Sequence, residues 1–261
     1  SAASDVYKRQ TDGRVNFGQV IQAGILVTDH NLKVKQKHEL RCRLKPNVIP
    51  SIGASLVHRS TVDQLKNSNM SHYQMVMEHY KIINDATKDN PSFIAGFNNI
   101  AFDLEFTRRM YFKNLIPDVY QTNTNGNKRG DAMKLLHTAS ASHPNAFVRP
   151  ISDDTGRPTF QLSEIARVNN ILQEKAHDAL SDVEATLEVC RLIKEKCPDV
   201  WNSSLETAAK VDVYKKLDQD KVYWAIYDLD DRIVLITYDP DKAKNNEKLK
   251  LISEKDNFIN K

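Results

Sequence analysis

Cysteine is scarce in this chain. Its 261 residues include three cysteines, Cys42, Cys190 and Cys197, and none of them belongs to a Cys-x-x-Cys pair. The lack of such pairs argues against a thiolate zinc site of the common kind, and an odd, unpatterned set of cysteines fits a reduced cytosolic protein better than a disulfide scaffold. What remains is the cysteine usage of a reduced protein in the cytoplasm.

Long apolar runs and a strong excess of either charge are also absent. No stretch is long enough to cross a bilayer, so we expect no membrane segment. The formal net charge is +3 and the sequence pI is about 8.6, which permits nucleic-acid binding without requiring it. The chain is 40% hydrophobic and 27% charged, as soluble globular proteins are, and its length suits one large domain or somewhat more.

The predicted elements begin with strands and continue with alternating helices and strands. Residues 20–28, VIQAGILVT, form an apolar run typical of a central strand, and residues 33–44 alternate polar and apolar side chains as its antiparallel partner would. This order predicts an α/β or α+β sheet with helices packed against it. The other predicted elements are helices at about residues 60–65 (with Ser60 as N-cap), 71–86, 102–113, 131–139, 163–169 and 178–196, a short strand at 92–97, and loops at 123–130 and 151–158.

Beyond Pro198 the pattern changes. Residues 205–217 have a helical period, and residues 222–228 and 232–237 alternate around two aspartates, which indicates a β-hairpin. We interpret residues 11–200 as one domain and residues 201–261 as the start of a second, β-rich domain.

The first ten residues, SAASDVYKRQ, have no hydrophobic period and no helix-cap signal. They resemble the translation of a tagmentation adapter, whose codons GAT-GTG-TAT-AAG-AGA-CAG give DVYKRQ and whose preceding bases give SAAS. We therefore expect residues 1–10 to be adapter-derived rather than native, with the native sequence extending upstream of Thr11. The alternative is a natural disordered N-terminus.

One polar stretch, EKAHDALSDVEAT (residues 174–186), places His177 five residues before Asp182 at the start of the longest predicted helix. Alone, this pair is weak evidence for a site, because polar residues such as Asp178 are common at helix N-termini.

A second stretch, GFNNIAFDLEFTRR (residues 96–109), brings a strand end, two Asn and an Asp together. Asn99 is placed to cap the following helix, and Asp103 falls in its first turn. There, Asp103 either complements the helix dipole, worth about 0.3–1 kcal/mol, or binds a metal at the carboxyl edge of the sheet. Two acids on different helices and one His suit metal-assisted hydrolysis of a phosphodiester.

With both stretches in order, the chain resembles the DnaQ-like 3′→5′ exonucleases, named for their Asp-Glu-Asp-Asp ligands, and most of all bacterial exodeoxyribonuclease I. GFNNIAFDLEFTRRMYFKN looks like the second motif of that family, and FQLSEIARVNNI followed by AHDALSDVEAT looks like the third. Asp131 in KRGDAMKLL matches a family Asp that opens a helix. The resemblance spans roughly residues 15–198. It implies a ribonuclease-H-like exonuclease fold, a mixed central sheet flanked by helices, followed by an SH3-like domain.

The resemblance also assigns roles in catalysis. Asp103 matches the third acidic ligand, Asp182 the fourth, and His177 the general base. The family holds two divalent ions, usually Mg²⁺, with Mn²⁺ as an alternative. One ion activates the attacking water and the other stabilises the leaving 3′ oxygen, while the His removes the proton of the water.

Several DNA contacts follow from the same resemblance. Arg108 matches a DNA-facing Arg, His58 in LVH matches the loop that meets the terminal bases, and Gln161 stands where relatives often have a basic residue. Phe102 is expected to pack under the site, and Asn99 to hold the turn of the second motif. For Arg108 the alternative is a solvated helix face.

Three further residues suit nucleic-acid contacts by type. Lys128 and Arg129, in the predicted loop NTNGNKRG, suit phosphate contacts, or belong to a merely soluble loop. Tyr120 suits stacking on a base, worth about 1–3 kcal/mol, or is a buried Tyr at a helix end.

One part of the family pattern is missing. The first two ligands, an Asp-x-Glu on the opening strand, should fall near Tyr7 and Arg9, inside the adapter-like segment, and no such pair is present. We therefore expect a domain without its first strand and without half of its metal ligands. The prediction is an inactive polypeptide derived from an active enzyme.

The favoured function is a 3′→5′ exodeoxyribonuclease that degrades single-stranded DNA to nucleoside 5′-monophosphates in repair and recombination. The alternatives are an RNA-trimming or proofreading exonuclease of the same superfamily and a catalytically dead nucleic-acid-binding protein. The resemblance implies a monomer, and it implies binding of single-strand DNA-binding protein through C-terminal regions outside this chain.

Overall fold

The computed structural model describes residues 3–12, 18–58, 61–171, 178–209, 211–212, 225–229, 232–236 and 251–252. Within these ranges, no helix is both long enough and apolar enough to cross a bilayer.

A five-stranded mixed sheet forms the centre of the fold. Its strand order is β3-β2-β1-β4-β5; β1, β2 and β3 are antiparallel neighbours, while β1, β4 and β5 run parallel. This arrangement confirms the predicted central strand, its antiparallel partner and the short strand after residue 91. The strands are β1 Ala3–Gln10, β2 Val20–Thr28, β3 Val34–Arg41, β4 Phe93–Gly96 and β5 Lys128–Asp131.

The expectation that the sheet lacks its first strand is wrong. Residues 3–10 lie in the middle of the sheet, where Tyr7 pairs with Gly24 of β2 and Asp5 pairs with Ala95 of β4. A ladder of backbone hydrogen bonds does not depend on particular side chains, so a segment without an apolar period can still occupy a central position. The adapter origin of these residues stays a prediction.

Eight helices are described, and most agree with the sequence. The predicted helices at 71–86, 102–113, 131–139, 163–169 and 178–196 all form within a few residues of their expected ends. Ser71 caps its helix through a capping box with Gln74. The helices are α1 Ile52–His58, α2 Val62–Lys66, α3 His72–Thr87, α4 Asp103–Lys113, α5 Ala132–Ser142, α6 Leu162–Val168, α7 Ala179–Lys196 and α8 Pro198–Glu206.

The structure corrects four details of the prediction. Thr61, not Ser60, is the N-cap of α2. Helix α1 forms at residues 52–58, where no helix was predicted. The last residues of the predicted loop 123–130 belong to β5, because pairing with β4 satisfies their backbone groups. After residue 197 the structure has α8, which begins at Pro198, a residue that suits a first helical position, and ends at Glu206. Of the helix predicted at 205–217, residues 205–206 and 211–212 are helical, and residues 210 and 213–217 lie outside the described residues.

Two apolar clusters pack on the two faces of the sheet, and β2 contributes to both. Ile25 faces the cluster with α3 and α4, whereas Leu26 faces the cluster with α5, α7 and α8. Alternate residues of a strand point to opposite faces, and every residue of β2 is buried. A strand covered on both sides reads as a continuous apolar run, which is why its pattern was clear in the sequence.

The C-terminal part forms a separate small sheet. Strands β6 Ala225–Leu229, β7 Arg232–Ile236 and β8 Leu251–Ile252 are antiparallel, which confirms the predicted hairpin. The predicted domain boundary at residue 200 falls inside α8, where Val200 and Trp201 are buried in the second cluster. That the small sheet begins an SH3-like domain stays a prediction.

Candidate active site

A groove at the carboxyl end of β4 contains both acids singled out in the sequence. Its volume is about 780 Å³. We call it the acid groove. Its lining consists of Phe97, Asn98, Phe102, Asp103, Met133, Thr159, Phe160, Gln161, Leu162, Ser163 and Asp182.

Asp103 is the first residue of α4, and it is only 2% exposed. The start of α4 is held by main-chain contacts, because the Asn99 carbonyl accepts hydrogen bonds from the backbone N–H of Phe102 (3.3 Å) and of Leu104 (2.9 Å). The N-cap residue is Phe102, which makes no side-chain capping bond. The Asn99 side chain therefore does not cap the helix, and that prediction is wrong.

A second acid, Asp131, fixes the turn that leads into α4. Its Oδ1 accepts from the N–H of Asn98 (2.9 Å) and of Met133 (3.1 Å), and its Oδ2 accepts from the N–H of Ile100 at 3.4 Å. Asn98 has a left-handed backbone, with φ of 56°, a conformation that Asn tolerates better than most residues. Asp131 thus serves both as the N-cap of α5 and as the anchor of the turn before Asp103.

Asp182 lies in the first turn of α7 and is 3% exposed. This helix has a side-chain cap, because Asp178 Oδ1 accepts from the N–H of Leu180 at 3.3 Å. Asp178 Oδ2 also accepts from Gln22 Nε2 (3.0 Å) and from Arg41 Nη2 (2.8 Å). Burial opposes ionisation of Asp178, but these hydrogen bonds and the charge of Arg41 outweigh it, so its pKa lies below the ordinary value.

Gly24 in β2 allows α7 to start close to the sheet. A Cβ atom at this position would lie 2.7 Å from the carbonyl oxygen of Ala179 and 3.0 Å from the Cα of Leu180. Both are backbone atoms that a rotamer change cannot move aside. The residue opposite Gly24 in β1 is Tyr7. The backbone near Tyr7, where the missing acid pair was expected, is therefore next to the helix start that presents Asp182.

The structure brings four of the predicted site residues together. Asp103, Asp182, Phe102 and Gln161 all line the acid groove. Phe102 packs edge-to-face on Phe106, with ring centroids 5.0 Å apart, whereas Gln161 is exposed at the start of α6. Asn99 is buried beside the groove, and its Oδ1 has no hydrogen-bond partner among the residues described.

Three other predicted contacts form a separate cluster, which we call the arginine–tyrosine cluster: Arg108, Tyr120 and Arg129. The Arg108 guanidinium lies 5.7 Å from the centroid of the Tyr120 ring and pairs with Glu105. Arg129 donates to Thr122 Oγ1 and to Asn123 Oδ1. Burial and the nearby Arg108 lower the pKa of Arg129. None of the three residues lines the acid groove.

Lys128 lies apart from that cluster. Its Nζ is 2.6 Å from Asp212 Oδ2 and 3.4 Å from the carbonyl oxygen of Leu205. Neighbouring residues of a strand point to opposite faces, so Lys128 and Arg129 cannot act together. Lys128 ties β5 to the segment after α8, and the prediction that it contacts phosphate is not supported by this placement.

The side chains of both predicted histidines lie outside the described residues. His177 belongs to residues 172–177 and lies outside the described residues. His58 is the last residue of α1, but its side chain lies outside the described part of the chain.

Two residues that were not predicted, Phe160 and Asn98, also line the groove. Phe160 is adjacent to Gln161, and it packs against His137 (centroids 4.1 Å apart) and under the Arg149 guanidinium at 4.2 Å. An aromatic residue just before a helix in the third motif was the available signal for Phe160. Asn98 had the signal of an Asn-Asn pair directly after a strand.

The donor set of the acid groove fits one hard cation better than two. Within the described ranges, no three His, Cys, Asp or Glu side chains are grouped to hold a metal. The groove itself supplies two carboxylates, Asp103 and Asp182. Mg²⁺ is commonly bound by one or two carboxylates, with water and substrate phosphate completing its six ligands. A two-ion centre needs more acids, and β1 reads ASDVYKRQ, without an Asp-x-Glu pair.

No protein-family profile matches the chain. Exodeoxyribonuclease I of Buchnera aphidicola (subsp. Acyrthosiphon pisum) is 29% identical over 198 residues, which are 76% of this chain and 47% of the relative. Exodeoxyribonuclease I of Haemophilus influenzae is 30% identical over 177 residues, which are 68% of this chain and 36% of the relative. The chain therefore spans less than half the length of these curated relatives.

A solved structure agrees with these relatives. Exonuclease I of E. coli in complex with a dA16 oligonucleotide superposes with a TM-score of 0.76 at 23% identity, over 82% of this chain and 45% of that chain. This likeness confirms the ribonuclease-H-like exonuclease fold. Over the residues that the matches span, the chain belongs to the exodeoxyribonuclease I family.

Proposed function

We propose that this chain is the catalytic part of a 3′→5′ exodeoxyribonuclease that hydrolyses single-stranded DNA to nucleoside 5′-monophosphates in repair and recombination. The observation that carries the proposal is the convergence of Asp103 and Asp182. Both carboxylates are buried, come from the first turns of two different helices, and line one groove of about 780 Å³. Two buried carboxylates that line one groove repel each other, and a bound cation would offset that repulsion, so the arrangement suits a cation.

In this proposal Asp103 and Asp182 hold the metal, which is Mg²⁺ or Mn²⁺. When bound, the metal activates the attacking water and stabilises the leaving 3′ oxygen. His177 accepts the proton of that water, a role that suits an imidazole with a pKa near neutrality. Phe102 and Gln161 contact the terminal nucleotides from the walls of the groove, and Asn99 holds the turn through its backbone carbonyl.

The arginine–tyrosine cluster provides a second contact with the strand. Arg108 and Arg129 supply positive charge, and Tyr120, which is 47% exposed, offers a ring on which a base can stack. His58 is the remaining candidate, as the wedge at the terminal bases. Sequence-independent binding of single strands combines these two features, cationic groups for phosphates and aromatic faces for bases.

The names of related structures support this substrate and these partners. The E. coli enzyme is solved with a dA16 oligonucleotide, in a zinc-bound form with single-stranded DNA, and exonuclease I is also solved in a complex with SSB-Ct. We extend these properties to the present protein as proposals. We further propose that it acts as a monomer in the cytoplasm and binds single-strand DNA-binding protein through regions outside this chain.

We also propose that the chain is inactive as it stands, because β1 lacks the Asp-x-Glu pair. The test is to restore it with the double substitution Tyr7→Asp/Arg9→Glu. On a strand, two residues separated by one other share a face, and Tyr7 lies opposite Gly24 beside the start of α7. The matched control is Tyr7→Asn/Arg9→Gln, which removes the same side chains without adding carboxylates.

Digestion of 3′-labelled single-stranded DNA in Mg²⁺ is then measured for the three proteins. We expect activity from the Asp/Glu variant alone, at least about a thousandfold above the others, because metal catalysis contributes several kcal/mol and each 1.36 kcal/mol is tenfold in rate. Activity of the unmodified chain would disprove its inactivity. A restored chain that binds DNA but releases no nucleotide would contradict the nuclease function.

The RNA-directed alternative has its own test. The restored chain is offered DNA and RNA strands of equal length and sequence, and faster digestion of RNA would replace the proposed substrate. A dead nucleic-acid-binding protein would bind both strands and digest neither.

A further inference from the structure

A second pocket lies where α4 meets the start of β2, and it shares no lining residue with the acid groove. Its volume is about 210 Å³, far more than a single water requires. It is lined by Gly18, Gln19, Val20, Lys45, Asn47, Val48, His72, Phe106, Arg109, Met110 and Lys113. We call it the cationic pocket.

Three of the lining side chains are cations, and the lining contains neither Asp nor Glu. Arg109 and Lys113 are four residues apart on α4, so they lie on one side of the helix, where two like charges destabilise the helix. Lys45 comes from the segment after β3. Partial burial, Lys45 and Arg109 together lower the pKa of Lys113, which indicates that the three charges repel one another.

The other titratable group in the lining adds no charge at neutral pH. His72 is 6% exposed, and its Nδ1 lies 3.7 Å from the Cys42 sulfur. Burial, with Lys45 and Lys113 nearby, lowers the pKa of His72 to about 4. The net charge of the lining at neutral pH is therefore that of its three cations.

The two neighbouring arginines of α4 differ in whether an acidic side chain pairs with them. Arg108 pairs with Glu105, whereas Arg109 has no acidic side chain within ion-pair distance in the described part of the chain.

The side chain of Gln19, which is 4% exposed, fixes the segment that carries Lys45. Its Oε1 accepts from the N–H of Lys45, and its Nε2 donates to the carbonyl of Arg43, both at 2.9 Å.

We propose that the cationic pocket binds a phosphate group. Its cations converge from two elements, and a phosphate offers enough acceptor oxygens for Lys and Arg donors at once. The apolar walls, Val20, Val48, Phe106 and Met110, lower the local dielectric constant, which strengthens an ion contact relative to water. The phosphate comes either from the strand that occupies the acid groove or from a free nucleotide.

The test removes charge without removing a helix former. Arg109→Gln/Lys113→Gln is compared with Lys66→Gln/Lys81→Gln, a control of equal net charge on α2 and α3. Gln is as good a helix former as Lys and Arg, so both variants should keep the thermal stability of the parent. Lys45→Gln, on another element, repeats the test independently of α4.

Two readouts distinguish the source of the phosphate. Calorimetric titration with inorganic phosphate, and separately with deoxyadenosine monophosphate, measures the pocket directly and needs no nuclease activity. Fluorescence anisotropy of a labelled oligothymidylate, at several salt concentrations, measures the strand. Each phosphate contacted on a single strand contributes about 0.7 to the slope of log K against log salt.

We expect the α4 variant and Lys45→Gln to weaken phosphate binding at least tenfold, with the control unchanged. A salt slope that also falls by about 0.7 assigns the pocket to the strand, whereas an unchanged slope assigns it to free nucleotides. No phosphate binding by the parent chain, or equal loss in the control, would overturn the proposal while leaving the nuclease function untouched.

Discussion

The starts of α4 and α7 place their acids in similar ways. Asp103 begins the sequence DLEFT and Asp182 begins DVEAT. In each helix, the Thr four residues later donates its hydroxyl to the backbone carbonyl of the acid, at 2.8 Å in both cases. Both Thr hydroxyls are thus used within their own helices, and neither Thr lines the groove. The first turns that carry the two acids are therefore built alike.

The two helix starts differ in what holds them. The start of α7 has a side-chain cap from Asp178 and packs on Gly24, whereas the start of α4 has no side-chain cap and depends on the turn anchored by Asp131. The same presentation of an acid is thus reached by different supports. We therefore expect the two carboxylates to be chemically equivalent. Because their supports differ, different substitutions should displace them.

The largest expected effect tests that equivalence. In the restored chain, Asp103→Asn and Asp182→Asn should each lower the rate of DNA digestion by about a thousandfold, because either change removes a charged metal ligand worth several kcal/mol. Rates are measured in Mg²⁺ on labelled single strands. Glu184→Gln is the control on α7, since Glu184 is half-buried and pairs with Lys37, and such a pair contributes about 0–1 kcal/mol. Loss from one Asp variant alone would show that the two acids are not equivalent.

The next largest effect concerns the support of α7. Gly24→Ala should lower the free energy of unfolding by about 1–3 kcal/mol, because the new Cβ meets the Ala179 carbonyl at 2.7 Å. Gly53→Ala is the control, since a Cβ there meets nothing within 4 Å and Ala is favoured over Gly in a helix by about 1 kcal/mol. The control should therefore be stabilised. Urea unfolding measures both, and a neutral Gly24→Ala would mean that α7 shifts freely on the sheet.

The support of α4 gives a smaller effect. Asp131→Asn keeps the helix cap, because Asn and Asp cap equally well, but it loses the oxygen that accepts from Ile100. We expect a cost of about 1 kcal/mol in the free energy of unfolding. Asp131→Ala should cost more, since it also loses the bonds from Asn98 and Met133. Equal stability of the two variants would show that the bonds from Asn98 and Met133, and with them the cap of α5, add nothing to stability.

Features encoded locally could be predicted from the sequence. The apolar run of β2, the capping Ser71 and both acids needed only a short window, because period, cap and helix position are local properties. Features that depend on distant residues could not be predicted. Lys128 reads as a loop cation, but Asp212 lies far along the chain. Arg108, Tyr120 and Arg129 were singled out individually, and nothing local indicated that they would meet.

The exclusion of residues 1–10 failed for a related reason. The adapter-like segment has no apolar period, and its place in the sheet comes from the ladders that β2 and β4 offer on either side. Tertiary context overrides weak strand propensity. Residues 3–10 thus occupy the position of the first strand but lack the Asp-x-Glu pair. Only the lack of this pair could be predicted from the sequence.

The smallest expected effect is the pH dependence of the α7 cap. The pKa of Asp178 is lowered from the ordinary value of 3.8, so its charge stabilises the fold above that pH, and this contribution is lost as pH falls through the folded-state value. Asp178→Asn keeps a capping side chain without the charge. The melting temperature of the unmodified chain should exceed that of the variant at about pH 6, and the two should converge as pH falls from 3.8 through the lower folded-state pKa. A difference that stays constant with pH would mean that the charge of Asp178 adds nothing to the cap of α7.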